Sequence, residues 1–250
     1  ILSAQQERAF LQACDDWQFP IFLTLMLTGL RPGELTHLLL PDDLDFNARL
    51  LRVRNKPQLG WQVKTRNERD IPVVDVLADV LRVFMAQRRV GPLVVRRGLQ
   101  MAEPDHSEFQ TADTMQRALR DRVREAASAT SSVSERVLMQ SLARVVWRDS
   151  GAVRTDRIRH EFMRITRRIG LPELTAPKSL RHLFATCLQD GNVDPLIRCE
   201  LMGHTSSRSG GGLGMTANYT HTRPETRRRQ LESAFRERAA IQCAIEWLKE

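Results

Sequence analysis

Tyr219 is the only tyrosine among 250 residues, and it lies between a glycine-rich stretch and a run of arginines. A phenol can act as a covalent nucleophile when neighbouring groups help to remove its proton and stabilise the charge that develops on the group it attacks. A lone tyrosine is more often a buried packing residue. Upstream, however, arginine, lysine and histidine residues occur in contexts that could build a site of this kind around a phosphodiester.

Two of these cationic residues come from the first third of the chain. Arg31 lies in Thr28–Leu35, at the start of a predicted helix, where unpaired backbone N–H groups also favour an anion. A solvated helix-end arginine held by Glu34 is the simpler interpretation of that residue alone. Lys64 begins the stretch Lys64–Val73, near the tip of a predicted hairpin. From there its long side chain could reach a nucleic-acid groove. Most lysines on hairpins, however, simply point into solvent.

Three further cationic groups come from the C-terminal half. Lys178 and Arg181 are three residues apart at the start of a predicted helix, so both side chains can face one site. His204 lies just past a short predicted helix, where a lone histidine is often a cap or a surface residue. Each segment is a weak signal by itself, but together with the single tyrosine they favour a phosphodiester-cleaving site.

The composition indicates a polyanionic partner. The formal net charge is +8 with a pI near 10.1, and most of the 38 basic residues are arginine. Guanidinium groups match phosphate oxygens in two-pronged geometry, although a generally basic surface would give the same charge. The hydrophobic fraction of 42% and the charged fraction of 27% are ordinary for a soluble globular protein with a substantial core.

The cysteine spacing argues against a zinc or redox C-x-x-C site, and the length of the apolar stretches argues against a membrane protein. Cys14, Cys187, Cys199 and Cys243 are widely spaced, with no C-x-x-C pair for zinc or redox chemistry. We therefore expect reduced, mostly buried thiols in a cytosolic protein. The longest apolar stretch, Phe19–Leu30, is too short to cross a bilayer, so no membrane partner is expected.

Helical periodicity covers most of the chain, and several helix boundaries have local signals. Ser3 begins a predicted capping box. A buried helix ends at Gly29, and Pro32 starts another whose apolar stripe would extend to Leu39. Thr155 is the predicted cap of an amphipathic helix. Further helices are expected at 75–89, 113–127, 134–149, 155–169, 179–189, 195–202 and from 224 onward.

One region between residues 50 and 73 changes character. Leu50–Val53, Trp61–Lys64 and Asp70–Val73 are short strand-like runs separated by turn residues. We expect them to form a small three-stranded antiparallel sheet in an otherwise mainly α-helical protein. Residues 1–250 are interpreted as a single domain, with a helical segment at about 96–153 and a Gly/Ser tether at 206–214.

The order and wording of these motifs resemble the catalytic domain of the tyrosine recombinases, the family of the phage integrases, Cre and the Xer proteins. The resemblance runs from about residue 2 to the C-terminal helix. It is carried by T-G-x-R-x-x-E-L around Arg31, by a lysine that precedes E-R-x-x-P, and by the box Lys178–Thr186. The Gly-His pair ending at His204 and the tyrosine followed by Thr220 and His221 complete the set.

The resemblance implies the fold of that catalytic domain and a metal-independent recombinase that cuts and rejoins DNA strands. Tyr219 would be the nucleophile and would form a covalent 3′-phosphotyrosyl intermediate. Arg31 and Arg181 would hold the non-bridging phosphate oxygens, and His204 would donate a further hydrogen bond. Lys64 would be the general acid for the leaving 5′-oxygen.

Other positions take supporting roles in this resemblance. Lys178 stands where relatives usually have histidine, and it would position the phosphate or help to remove the phenol proton. Glu34 would orient the first-arginine region, and His182 would be a further supporting residue. The residues expected to contact the DNA are Arg66, Arg223, Arg227 and Arg228.

The spacing before the nucleophile departs from the family pattern. Tyr219 follows the histidine by fifteen positions (219 minus 204), more than in most relatives. The extra length is the Gly/Ser tether, which leaves open whether Tyr219 serves its own active site or a neighbour's. The tether could let protomers switch between active and inactive states, or it could be an inert loop. The C-terminal helix could likewise pack on its own core or on a neighbour.

The implied partner is double-stranded DNA with a specific recombination site, bound by a dimer and paired in a tetramer. No cofactor or metal is expected, since no carboxylate cluster suggests a divalent ion. The implied location is the cytoplasm, with the nucleoid, and the family's usual N-terminal DNA-clamping domain is not recognisable. A type IB topoisomerase-like enzyme and a catalytically silent DNA-binding regulator are alternatives. Integration, excision and transposition of a mobile element all remain open outcomes.

Overall fold

The computed structural model describes residues 1–85, 88–99, 109–129, 134–204 and 222–249. Within these ranges helices predominate, as expected, and they surround two hydrophobic clusters. The helices in chain order are α1 (Ala4–Gln12), α2 (Gln18–Thr28), α3 (Pro32–Leu35), α4 (Asp75–Met85), α5 (Ala112–Ala129), α6 (Glu135–Asp149), α7 (Thr155–Arg168), α8 (Lys178–Asp190), α9 (Pro195–Met202), α10 (Pro224–Phe235) and α11 (Ala239–Trp247).

Short strands form two antiparallel sheets in the described part of the chain. The first pairs β1 with β5, and the second has the order β2-β3-β4. The expectation of a small three-stranded antiparallel sheet is therefore confirmed. The strands are β1 (Leu39–Leu40), β2 (Leu44–Asp45), β3 (Leu50–Val53), β4 (Arg69–Pro72) and β5 (Gly91–Pro92).

One member of that sheet differs from the prediction. Besides β3 and β4, the sheet contains β2 at Leu44–Asp45, and the prediction of a strand at Trp61–Lys64 was wrong. Trp61 makes an isolated antiparallel bridge with Lys56, so its backbone groups are used inside a small loop rather than in the sheet. Of residues 62–65 only Val63 is buried. The alternation of apolar and polar residues in Trp61–Lys64 therefore does not indicate a strand. It arises because one residue of a loop, Val63, inserts its apolar side chain into the main hydrophobic cluster.

Helix α2 is the centre of the main hydrophobic cluster, because every one of its residues is buried. The rings of Phe10 and Phe22 meet edge-on at 5.2 Å, and Phe162 lies 5.4 Å from Phe10. The helix ends at Gly29, as predicted, with a left-handed φ of 62°. The Phe184 ring packs directly against this glycine. No helix among the described residues is both long enough and apolar enough to cross a membrane.

Local signals gave some boundaries correctly and others not. The capping box at Ser3 is present. The helix that begins at Pro32 is only four residues long, and the predicted stripe residue Leu39 begins β1 instead. Its backbone N–H donates to Asp43 Oδ2 at 2.6 Å, which replaces a helical bond. The predicted cap Thr155 is the first helical residue, and the N-cap position is Arg154.

The C-terminal stretch consists of two helices rather than one continuous helix. The chain turns before Arg238, a buried residue whose guanidinium donates to Met26 O at 3.0 Å and to Glu7 Oε1 at 2.5 Å. Helix α11 then packs on α1 and α2 of its own chain, where Trp247 stacks on Phe19 with ring centres 5.3 Å apart. The helix thus packs on its own core in this single chain, and its placement on a neighbour stays a prediction.

The expected helical segment contains α5 and α6, which form a hairpin with a hydrophobic cluster of its own. This second cluster joins Met115, Leu119 and Trp147 of the hairpin to Leu39 and Leu59 of the main body. The helix predicted at 75–89 ends at residue 85, and the tether predicted at 206–214 lies outside the described residues.

The four cysteines carry free thiols. Cys243 is buried, whereas Cys14, Cys187 and Cys199 are half-buried. None of the four is exposed, in keeping with the expectation of mostly buried thiols. Burial still raises the pKa of Cys187 and Cys243 above the ordinary thiol value.

Gly29 provides a test of the packing at the end of α2. A methyl group there would lie 2.8 and 2.9 Å from Cε1 and Cγ of Phe184, in addition to straining a left-handed backbone. Gly170 has a φ of 75° but no atom within 4 Å of an added Cβ. We expect Gly170→Ala to lower the free energy of unfolding by about 1–2 kcal/mol. Gly29→Ala should lower it by about 3 kcal/mol or more, since overpacking is added to strain. Urea denaturation of both variants measures the difference, and equal losses would contradict this packing.

Candidate active site

The charged centre of the site is the carboxylate of Glu34, which is 3% exposed. Its Oε2 accepts a hydrogen bond from the backbone N–H of Arg31 at 2.9 Å, and its Oε1 accepts one from Arg31 Nη1 at 2.9 Å. Arg69 on β4 donates to the same two oxygens through Nη1 at 3.2 Å and Nη2 at 2.7 Å. Arg69 Nε also donates to Leu201 O at 2.9 Å. One carboxylate therefore links α3, β4 and the end of α9.

The ionised state of Glu34 depends on its two partners. Burial by itself would raise the pKa of this carboxyl, but the hydrogen bonds and charge of Arg69, together with those of Arg31, outweigh burial and hold the pKa below its usual value. Glu34 is consequently an anion at neutral pH. Two guanidinium groups share its single negative charge, so the cluster retains one net positive charge toward a ligand.

Arg181 lies in the first turn of α8 and is 7% exposed. Its Nη1 donates to Gly29 O and its Nη2 to Met202 O. These carbonyls are two residues before Arg31 and His204, so one guanidinium ties the ends of α2 and α9 together. Burial, and next the charge of Arg31, lowers the pKa of Arg181 to about 10, which leaves it cationic at neutral pH.

His204 follows the left-handed Gly203 that ends α9, and its backbone N–H donates to Cys199 O at 3.0 Å. The side chain is exposed. Partial burial, followed by the charges of Arg181 and Arg31, lowers the pKa of His204 below the ordinary histidine value. The ring is therefore neutral at physiological pH and can donate one N–H to an anionic oxygen.

Lys64 lies on an exposed turn between β3 and β4 rather than at the tip of a tight hairpin. The residues after it fix this turn to the end of α9. Thr65 Oγ1 and Asn67 Nδ2 both donate to Gly203 O at 3.3 Å. The structure therefore brings the Lys64 turn next to the backbone that carries His204.

The predicted nucleophile, Tyr219, lies outside the described residues, as does the tether before it. The chain leaves the described region after His204, which is held at the site, and returns at Thr222. Arg223 is exposed at the N-cap position of α10. Helix α10 is anchored in the core, where Phe235 meets Phe184 at 5.8 Å. Both ends of the segment that bears the tyrosine are thus attached to the same core.

Three other predicted residues are exposed around this cluster. Lys178 is the first residue of α8, one turn before Arg181, and its side chain is exposed. His182 is exposed on the same helix. Arg66 is exposed two residues past Lys64, with a positive φ of 58°. Each of the three is open to a bound polyanion.

Arg227 and Arg228 are half-buried on α10 and have partners within the chain. Arg227 lies 3.7 Å from Glu200, and Arg228 lies 3.0 Å from Glu232 and 3.6 Å from Asp75. A DNA phosphate would have to compete with these carboxylates. Their role as DNA contacts stays a prediction.

Arg69 was not predicted as a site residue from the sequence. Arg69 was recognised only as the arginine of the E-R-x-x-P segment by which Lys64 was identified. Arg69 is flanked by Glu68 and Asp70, so the sequence alone is equally compatible with an exposed arginine paired to one of them. Its buried ion pair with Glu34 is evident only from the tertiary structure. The available signal was the position of this arginine inside a recognised motif.

A groove with a volume of about 740 Å³ opens between residues 36–37, residues 59–61, α6 and the start of α7. His37 stacks on Trp61 with ring centres 3.8 Å apart, and burial lowers the pKa of His37 to about 4. Within the described ranges no group of three or more His, Cys, Asp or Glu residues could hold a metal ion. The charged residues that line the groove are Arg144, Arg148, Arg154 and Asp156.

Comparison with known proteins gives a family match and several similar structures. The profile of the phage integrase family matches residues 1–226. No curated protein sequence shows a significant match to the chain. The structure of XerA recombinase superposes with a TM-score of 0.52 at 17% identity, covering 95% of this chain and 64% of that one.

Two structures of the Tn1549 transposon integrase are also similar. The complex with transposon right end DNA gives a TM-score of 0.52 at 19% identity, and the complex with circular intermediate DNA gives 0.51 at 20%. Each match covers 92% of this chain and 64% of the integrase chain. This chain thus spans 64% of the length of the similar structures. The likeness shows that the fold is that of a tyrosine-recombinase catalytic domain.

The Glu34 cluster makes a first prediction about stability. Glu34→Gln should lower the free energy of unfolding by about 3 kcal/mol, because it leaves the buried Arg69 charge uncompensated. Asp79→Asn is the matched control, since Asp79 pairs with Arg82 at 2.6 Å on the surface of α4. Surface pairs contribute little, so this variant should unfold like the wild type. Chemical denaturation measures both, and similar small changes would contradict the proposed importance of the buried carboxylate.

A second prediction concerns pH. The pKa of Glu34 is lower in the folded than in the unfolded protein, so its contribution to stability is complete above the unfolded pKa of about 4.3 and is lost as pH falls through the folded pKa. The difference in unfolding free energy between wild type and Glu34→Gln should therefore shrink as pH falls below about 4. Denaturation curves from pH 7 to pH 3 measure this difference. A difference that stays constant or grows on acidification would show that the carboxylate is not stabilised as an anion.

Proposed function

The chain belongs to the phage integrase family, and from that membership we propose that it is a site-specific DNA recombinase. It cuts and rejoins DNA strands through a covalent 3′-phosphotyrosyl intermediate at Tyr219. The main support is the convergence of Arg31, Arg181 and His204 at three joined helix ends. Lys64 lies on a turn attached to the same place.

In the proposed reaction the Tyr219 oxygen attacks the scissile phosphorus in line. An oxygen–phosphorus bond forms to the phenol, and the bond from phosphorus to the 5′-oxygen breaks. The phenol loses its proton and the leaving 5′-oxygen gains one. The 5′-hydroxyl of another strand then reverses the step, so the phosphodiester is restored and no external energy source is consumed.

The charge of the site suits the phosphate in this transition state. Glu34 is occupied by two guanidinium groups, so its negative charge is not presented to the ligand. Arg31 remains 24% exposed and can add a phosphate oxygen to its existing partners. Arg181 uses only two of its five N–H groups on the carbonyls of Gly29 and Met202. Donors held in place before the DNA arrives stabilise developing charge without reorganisation.

Three further residues take part in proton transfer or hydrogen bonding in this proposal. Lys64 protonates the leaving 5′-oxygen from its exposed turn. His204 is neutral, so it donates an N–H to a non-bridging oxygen. Lys178, exposed at the start of α8, positions the phosphate or assists removal of the phenol proton.

The proposed partner is double-stranded DNA with a specific recombination site. The similar Tn1549 integrase structures are complexes with transposon right end DNA and with circular intermediate DNA, and this chain has a net charge of +8 and exposed arginines such as Arg66 and Arg223. Phosphate contacts by these residues would give an affinity that falls steeply with salt. A dimer on each site and a tetramer of two paired sites are part of the proposal, as is a location at the nucleoid in the cytoplasm.

Tyr219→Phe tests the proposed nucleophile. The probe is a nicked suicide duplex carrying a sequence selected for binding from a pool with a randomised centre. Loss of the short fragment that carries the 5′-hydroxyl prevents religation, so wild-type protein should accumulate a covalent protein–DNA adduct on a denaturing gel. The variant should form no adduct, with DNA affinity in a mobility-shift assay nearly unchanged, because the ring remains and only the attacking oxygen is removed.

Each other outcome of that assay has a definite meaning. Wild-type protein that binds the DNA well but forms no adduct would be a catalytically silent regulator. An adduct formed by Tyr219→Phe would identify a different nucleophile. In a separate assay on supercoiled DNA with paired sites, relaxation without recombination would show a type IB topoisomerase-like enzyme.

A further inference from the structure

The hairpin formed by α5 and α6 has a hydrophobic cluster that the main core does not share. Met115 and Leu119 of α5 and Val146 and Trp147 of α6 are each at most 7% exposed. Leu59 of the main body belongs to the same cluster. Leu59 lies in a short 3-10 turn within residues 54–68, the connection from β3 to β4 that carries Lys64. The hairpin thus packs on the part of the chain that leads to the predicted general acid.

Two contacts fix this 3-10 turn to α6. Trp147 Nε1 donates to Leu59 O at 3.0 Å in a buried hydrogen bond. Gly60 then takes a left-handed φ of 65°, and a Cβ built on it would lie 2.6 Å from Cβ of Ala143. The backbone of the turn therefore lies directly against α6, and a displacement of α6 would move it.

The turn is joined rigidly to the residue before Lys64. Lys56 and Trp61 exchange two backbone hydrogen bonds, each 3.0 Å long. Val63 is 1% exposed, and its N–H donates to Asn55 Oδ1 at 2.9 Å. Lys64 is the next residue, with an exposed side chain. Few backbone degrees of freedom separate the hairpin contact from the amine.

The hairpin is also in contact with the helix that follows Arg31. The Trp61 ring stacks on His37 at 3.8 Å, and the Trp147 ring meets the His37 ring edge-on at 4.6 Å. His37 Nδ1 lies 2.7 Å from Gly33 O in α3. Three rings therefore connect α6, the Lys64 connection and α3.

We propose that the α5–α6 hairpin positions Lys64 for proton transfer, with Trp147 as the positioning residue. Lys64 is held at one side by the braced turn and at the other by Thr65 and Asn67 on Gly203 O. This inference rests on the proposed function, because it assigns Lys64 to the leaving 5′-oxygen. It gives the hairpin a role in the reaction rather than in folding alone.

Trp147→Phe removes the hydrogen bond to Leu59 and keeps an aromatic ring. The matched control is Trp17→Phe, because Trp17 is 3% exposed and its Nε1 donates to Val95 O at 2.9 Å, away from the site. Both variants lose one buried indole N–H bond to a backbone carbonyl. Their effects on general stability should be comparable, so a difference in chemistry between them reports position.

The readout is the single-turnover rate of adduct formation at saturating DNA with two versions of the selected suicide duplex. One has the normal 5′-oxygen at the scissile bond and the other a bridging 5′-sulfur, which leaves without being protonated. Trp147→Phe should slow cleavage of the oxygen substrate roughly tenfold through misplacement of the acid. It should cleave the sulfur substrate at the wild-type rate. Trp17→Phe should leave the ratio of the two rates unchanged.

A double variant that combines Trp147→Phe with Lys64→Ala tests whether Trp147 acts through Lys64. If Trp147 acts through Lys64, the double variant Lys64→Ala, Trp147→Phe should cleave the oxygen substrate no more slowly than Lys64→Ala alone. Amide hydrogen exchange of residues 55–67 gives a second measurement that needs no catalysis. Exchange there should be faster in Trp147→Phe and unchanged in Trp17→Phe.

Several results would overturn this inference. Equal slowing on both substrates would mean that the hairpin supports the site only generally. A weaker DNA affinity with unchanged rates at saturation would mean that the hairpin is a DNA-binding element. Unchanged exchange at residues 55–67 would mean that the brace does not hold the connection. Failure of the proposed function is distinguishable, because wild-type protein would then form no adduct even with the sulfur substrate.

Discussion

A buried carboxylate that carries two guanidinium groups is the interaction on which the site depends. Glu34 is almost completely removed from water, and leaving one of these buried charges unpaired would cost about 3–5 kcal/mol. Arg31 and Arg69 can therefore hardly move independently of each other. Arg69 also donates to Leu201 O, so the end of α9, which carries His204, belongs to the same unit. A single charged network sets the relative positions of α3, β4 and α9.

The Lys64 turn is the second point at which separate parts of the structure meet. Thr65 and Asn67 attach it to Gly203 and thereby to the charged network. Leu59 attaches its other side to the second hydrophobic cluster. The two supports differ in kind, since one consists of hydrogen bonds and the other of apolar packing with one indole hydrogen bond. A site held in this way can present its cations in place before a polyanion binds, which is the arrangement that favours a charged transition state.

Motif order in the sequence placed Arg31, Arg181 and His204 in one site, and the structure brings them together. Helix α9 matched its predicted bounds because proline and glycine mark both of its ends. The partner of Arg69 could not be predicted, because it depends on a contact between residues 35 positions apart. No proline or glycine marks the break between α10 and α11 near Arg238. Arg238 instead makes a tertiary hydrogen bond to Met26 O, which the sequence does not reveal. The two-residue strand β2 is too short to leave a periodic pattern.

The central claim is that the phenol, two guanidinium groups, an imidazole and an amine meet at one phosphate. A crystal structure of the covalent complex trapped on the suicide duplex tests it most directly. The account predicts a Tyr219 phosphodiester whose non-bridging oxygens lie about 2.7–3.2 Å from guanidinium nitrogens of Arg31 and Arg181, with Glu34 still bound by both of its arginines. A phosphotyrosyl bond out of reach of those nitrogens, in its own protomer and in the neighbouring one, would contradict the account.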